Sequence, residues 1–76
     1  MAGASLTNAV IEHKVQITLA NIHALAGALM QITLAWDSLS GTMIGKTIRE
    51  EAGKIKQSLE VMRKQYEILE EGLKKP

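Results

Sequence analysis

His13 and His23 are the side chains best suited to metal or proton chemistry. A metal held by one helix wants ligands three or four residues apart, as in His-Glu-x-x-His, so that they share one face. These two are ten apart, about 80° from each other around a helix, and Glu12 adjoins only the first. They read as boundary histidines, half in contact with a packed surface. Ser5, Ser38, Ser40 and Ser58 have no histidine and carboxylate partners at the spacing of a nucleophilic triad. Glu50-Glu51 and Glu70-Glu71 resemble the carboxylates of a di-iron bundle only superficially, because no Glu-x-x-His accompanies them. There is no glycine-rich phosphate loop, and there are no cysteines. The expectation is a non-enzymatic protein with no catalytic residue, cofactor or metal.

Charge and aromatic content narrow the partners. The net charge is +1 over 76 residues, with lysine and arginine alternating with glutamate. Trp36 and Tyr66 are the only aromatic residues. A single-stranded nucleic-acid surface wants stacking platforms beside a basic groove, so nucleic acid is not an expected partner. Met1–Ser5 lacks the positive region that precedes the apolar stretch of a secretory signal. Residues 15–36 carry no formal charge, and 22 residues are enough to span a bilayer. Gln16, Thr18, Asn21, His23, Gln31 and Thr33 interrupt that run, so a membrane span is not the expected reading.

The polar residues divide two long periodic segments. Asp37-Ser38-Leu39-Ser40-Gly41-Thr42 is the one internal cluster of turn formers. It predicts helix 1 over about residues 5–36, a turn over 37–42 and helix 2 over about 43–74, with Ser5 or Thr7 capping the first and Ser40 or Thr42 the second. Gly41 is expected to supply a backbone conformation that a Cβ disfavours. Trp36 is expected either to cap the end of the hairpin or to stand exposed as a contact for a partner. In helix 2, Ile44, Ile48, Ala52, Ile55, Leu59, Met62, Tyr66, Leu69 and Leu73 recur at steps of four and three. From Ala52 onward they form an unbroken heptad seam. Glu50/Lys54, Glu60/Lys64, Glu70/Lys74 and Glu71/Lys75 pair across single turns, each worth about 0.2–0.5 kcal/mol.

Helix 1 has two apolar stripes. Ile11, Val15, Leu19, Ile22, Ala26, Leu29 and Trp36 form one, widened by Leu25 and Ile32. Leu6, Val10, Ile17, Ala20, Ala24, Ala28 and Leu34 form another on the far side. One partner helix covers one face only. The far stripe therefore predicts an interface with a further helical protein, a second copy or a different chain. The expected architecture is all-α: an antiparallel two-helix hairpin forming one domain over residues 1–76, pairing into a four-helix bundle.

The tryptophan at the turn, the glycine after it and the two long helices resemble the small Trp-x-Gly proteins of type VII secretion systems. Those are helical hairpins that dimerise into four-helix bundles and leave the cell folded, without a classical signal peptide. Tyr66-Glu67-Ile68-Leu69-Glu70 is similar to the family's Tyr-x-x-x-Asp/Glu export motif. The turn departs from the family, since Gly41 lies five residues after Trp36, not two. Leu39-Ser40-Gly41 instead resembles a Leu-x-Gly pattern, found in related toxins that travel with small helical targeting partners. The resemblance implies that Trp36, Leu39 and Gly41 form the turn motif and that Tyr66 and Glu70 help form an export signal. It also implies a partner hairpin or a toxin's N-terminal helices docked on helix 1. The alternative is a cytoplasmic dimeric coiled-coil protein, structural or regulatory, with no export role.

Overall fold

The computed structural model describes the backbone of residues 2–74 and the side-chain environments of residues 6–74. The chain folds into α1 (Ala2–Ala35), a single 3-10 turn (Asp37–Leu39) and α2 (Met43–Lys74), with α1 packed on α2. It is an all-α helical hairpin. The turn falls where the polar cluster placed it. Helix 1 begins earlier than expected: at Ala2, so Ser5 and Thr7 lie within the helix and neither is its N-cap. The expected partner of Glu71, Lys75, lies outside the described residues.

The molecule is a rod of 60 × 15 × 12 Å with a radius of gyration of 17.5 Å. A compact domain of this length has a radius near 11 Å. The length follows from the helices, since 34 residues in α1 rise about 51 Å at 1.5 Å each. Two such rods side by side bury little. The core is Val15, Ile22, Ala52 and Leu59, with Gly45 buried beside the turn.

These residues mark a seven-residue step on both helices. In α1, Val15 and Ile22 are buried and Leu29 and Trp36 half-buried. In α2, Gly45, Ala52 and Leu59 are buried and Tyr66 and Leu73 half-buried. A heptad step keeps one row facing a partner along a gently supercoiled pair. Leu19, Ala26 and Thr33 are half-buried beside that row in α1.

The expected seam of α2 is corrected at this point. Ala52, Leu59, Tyr66 and Leu73 face α1, but the alternate members do not. Ile44, Ile55, Met62 and Leu69 are exposed, and Ile48 is half-buried. The reason is geometric. A four-three repeat places two rows about 50° apart on the helix, and a single partner centred on one row leaves much of the other in water. Leu25 and Ile32, which widen the seam of α1, are exposed for the same reason.

Candidate interaction surfaces

The turn is held by the Leu39 carbonyl. It accepts from the Thr42 backbone N–H at 2.9 Å and from Thr42 Oγ1 at 2.6 Å. The Gly45 N–H then donates to Thr42 Oγ1 at 3.1 Å, and the Lys46 N–H donates to the Thr42 carbonyl at 3.0 Å. Thr42 is therefore the N-cap of α2: its side chain takes up an amide in the first turn that has no partner within the helix. Trp36 is half-buried, and its N–H donates at 3.3 Å to the carbonyls of Ile32 and Thr33. Asp37 Oδ1 lies 3.6 Å from an Arg49 guanidinium nitrogen, so the 3-10 turn is also tied to α2.

The glycine that this turn requires is not the expected one. No glycine among the described residues has a positive φ, and a Cβ at Gly41 would meet open space. A Cβ at Gly45 would overlap the Leu39 carbonyl oxygen and stand 3.0 Å from Thr42 Oγ1. Gly45 is small so that the start of α2 can pass against the turn's backbone. Its position at the head of the buried row, seven residues before Ala52, was the signal available in the sequence.

The flanks of the seam define two broad faces. Residues four positions after a seam residue lie on one side of it and residues three after lie on the other. For two antiparallel right-handed helices, like-signed flanks fall on the same side of the pair. Two grooves confirm the first side. One, of about 440 Å³, is lined by Met30 and Thr33 of α1 with Lys46, Arg49 and Lys56 of α2. The other is lined by His23 and Ala26 with Lys56 and Arg63. This face carries charges of both signs, since Glu50 lines the first groove and Glu60 the second. Arg63 holds Glu67 through Nη1 at 3.0 and 3.1 Å, and Arg49 Nε is buried without a hydrogen-bond partner.

The opposite face carries the three-after rows: Ile11, Leu25 and Ile32 from α1, and Ile48, Ile55, Met62 and Leu69 from α2. Leu25 and Ile55 are 53% and 52% exposed. Neither helix makes this surface alone, which is why the separate stripes in the sequence did not reveal it.

The far stripe of α1 is uncovered as well. Leu6 is 67% exposed, and Val10, Ile17 and Leu34 are also exposed. Ala20, Ala24 and Ala28 are exposed between them. Helix α1 is thus apolar nearly all round, and it is long and apolar enough over Leu6–Ala35 to cross a membrane. The same composition suits a helix buried among other helices.

Tyr66 is half-buried in the seam row. Glu70, half-buried on the flank, has Oε1 4.0 Å from Lys74 Nζ. The structure thus places both expected export residues on one turn of α2, with Tyr66 turned towards α1. His13 and His23 are exposed. Among the described residues, no group of three histidine, cysteine, aspartate or glutamate side chains converges where it could hold a metal. The helical hairpin sets the class of this protein by architecture. Comparison with family models, curated proteins and solved structures gives no match.

Proposed function

We propose that this chain is a non-enzymatic helical interaction protein that docks a partner hairpin, in the manner of a type VII secretion substrate or targeting adaptor. The observation that carries the reading is the thinness of the hairpin's own core. Among the described residues, four apolar side chains are buried, while sixteen large apolar side chains stay exposed, among them Leu6, Val10, Ile17 and Leu34. At about 1.5–3 kcal/mol for each large apolar side chain fully buried, a docked helical layer offers more stabilisation than the hairpin draws from its own seam. Light scattering on the purified protein, alone and with candidate helical partners, tests this. Mass that stays at one chain in every mixture rejects the docking role.

A second reading is a cytoplasmic dimeric coiled-coil protein without export. The seam position of Tyr66 favours it, since packing alone accounts for the residue. Secretion assays on Tyr66→Phe and Glu70→Gln separate the two. Export that falls with either change while the fold persists supports the adaptor; export unaffected by both removes the signal role.

A further inference from the structure

We infer that the groove beside the turn, bounded by Met30 and Thr33 of α1 and by Lys46, Arg49 and Lys56 of α2, binds a carboxylate carried on an aliphatic chain. In chemical class the ligand is a medium-chain fatty acid. This site is separate from the docking role above.

Arg49 supplies the first argument. A guanidinium is a rigid fork of N–H donors that wants acceptors. Arg63 has them, since its Nη1 holds Glu67 at 3.0 and 3.1 Å. Arg49 lines the groove without an equivalent. Its Nη2 lies 3.6 Å from Asp37 Oδ1, beyond hydrogen-bond range, and its Nε is buried with no partner. A buried donor left without an acceptor calls for one. The long pair with Asp37 does not lock the fork. As the fork turns towards the groove, a carboxylate there takes it side-on through parallel N–H···O bonds.

Charge sets the valence of the ligand. Lys46 and Lys56 line the same groove, and among the described residues neither is held in an ion pair. Glu50 is the anion in the lining, and Asp37 stands beside Arg49. Three cations therefore face two anions, and a single carboxylate neutralises the positive charge left over.

The rest of the wall sets the body of the ligand. Leu29, Met30 and Ala52 make it aliphatic. Among the described residues no aromatic ring lines it, so it has no stacking platform for a base. The amides at the head of α2 that would favour a phosphate are already engaged: Gly45 N–H donates to Thr42 Oγ1 and Lys46 N–H to the Thr42 carbonyl. A carboxylate needs only the side chains. Gly53 also lines the groove, and a Cβ there would meet nothing within 4 Å, so the helix leaves this space unfilled. The groove's volume of about 440 Å³ lies within the roughly 300–1,000 Å³ of small-ligand sites.

The test is equilibrium dialysis of the full chain against radiolabelled decanoate, below its micelle concentration. One decanoate per chain is expected, with an affinity that falls as salt is added. Acetate has the charge without the chain, and decyltrimethylammonium has the chain with the opposite charge. Each should bind at least about 10-fold more weakly than decanoate. Gly53→Leu fills the groove and keeps its charges, whereas Arg49→Gln removes the fork. Both should weaken decanoate at least about 10-fold, with circular dichroism checking that each variant remains helical. Arg63→Gln and Ile17→Gln lie outside the groove and should leave binding unchanged. Decyltrimethylammonium bound as tightly as decanoate, or a loss through Ile17→Gln but not through Gly53→Leu, means that the soap coats the exposed apolar faces and overturns the site. The absence of saturable decanoate binding overturns it as well. Binding to phosphatidylglycerol vesicles without binding to monomeric decanoate makes the ligand a membrane headgroup and overturns the free acid. The ligand series on the wild type requires no substitution, so the inference stays testable where a variant fails to fold. None of these outcomes involves a partner chain, so the docking role stands or falls on its own mass measurement.

Discussion

Thr42 and Gly45 show how much of a long hairpin can rest on a few atoms. The Thr42 hydroxyl donates to Leu39 O and accepts from the Gly45 N–H, so it joins the turn to α2. Thr42→Ala removes both bonds and should cost about 1 kcal/mol, lowering Tm by about 4–8 °C in a domain of this size. A Thr42→Ser variant keeps the hydroxyl and should recover most of that loss in the same melt. Gly45 and Gly53 make opposite predictions. Gly45→Ala drives a Cβ into the Leu39 carbonyl, whose position the Thr42 bonds fix, so it should lower Tm. Gly53→Ala meets open space within a helix and should raise stability by about 0.5–1 kcal/mol through backbone entropy. The Asp37–Arg49 pair is partly exposed on both sides and contributes little, within the 0.2–1 kcal/mol of surface ion pairs.

At the scale of elements, the two helices differ in how they meet water. Helix α2 has a wet face rich in lysine and glutamate and one apolar band, part of which faces α1. Helix α1 has apolar residues on every side. Their contact is a single row from each, so each buried residue carries a large share of the stability. Leu59→Ala, at the centre of α2's buried row, should cost about 2–5 kcal/mol. That is a large part of the 5–15 kcal/mol typical of a whole domain. Val61→Ala, two residues away and 62% exposed, should stay within about 0.5 kcal/mol of wild type. Urea denaturation midpoints for the pair test the assignment of the seam. Equal losses at both positions would place the seam elsewhere on α2.

For the whole molecule, the governing quantity is exposed area. A rod of two helices cannot enclose its apolar surface whatever the rotamers, because each helix has a neighbour on one side only. If a partner docks on the folded hairpin, as proposed, its binding raises stability through mass action, and the apparent Tm rises with the partner's concentration. The bilayer is the competing apolar phase for α1. If the hairpin docks on protein, the purified chain stays in the aqueous fraction after centrifugation with neutral phosphatidylcholine vesicles. Strong co-sedimentation at low protein concentration would instead make α1 a membrane element.

The amino-acid sequence by itself determined the all-α class, the two helices and the place of the turn, because helical periodicity and turn chemistry are local. It also marked Val15, Ile22, Ala52 and Leu59 as apolar seam residues and the far stripe of α1 as surplus. The start of α1 escaped that reading: Ser5 and Thr7 are good caps, yet the helix runs past both. The tertiary structure alone decided the rotation of one helix about the other. That rotation selected Ala52 and Leu59 over Ile55 and Met62, and it joined the rejected row to Leu25 and Ile32 on a common face. It also made Gly45, not Gly41, the residue that must be small. The physical reason is the same in each case. Periodicity gives the angle of a residue about its own axis, while burial and close approach depend on where a second axis lies.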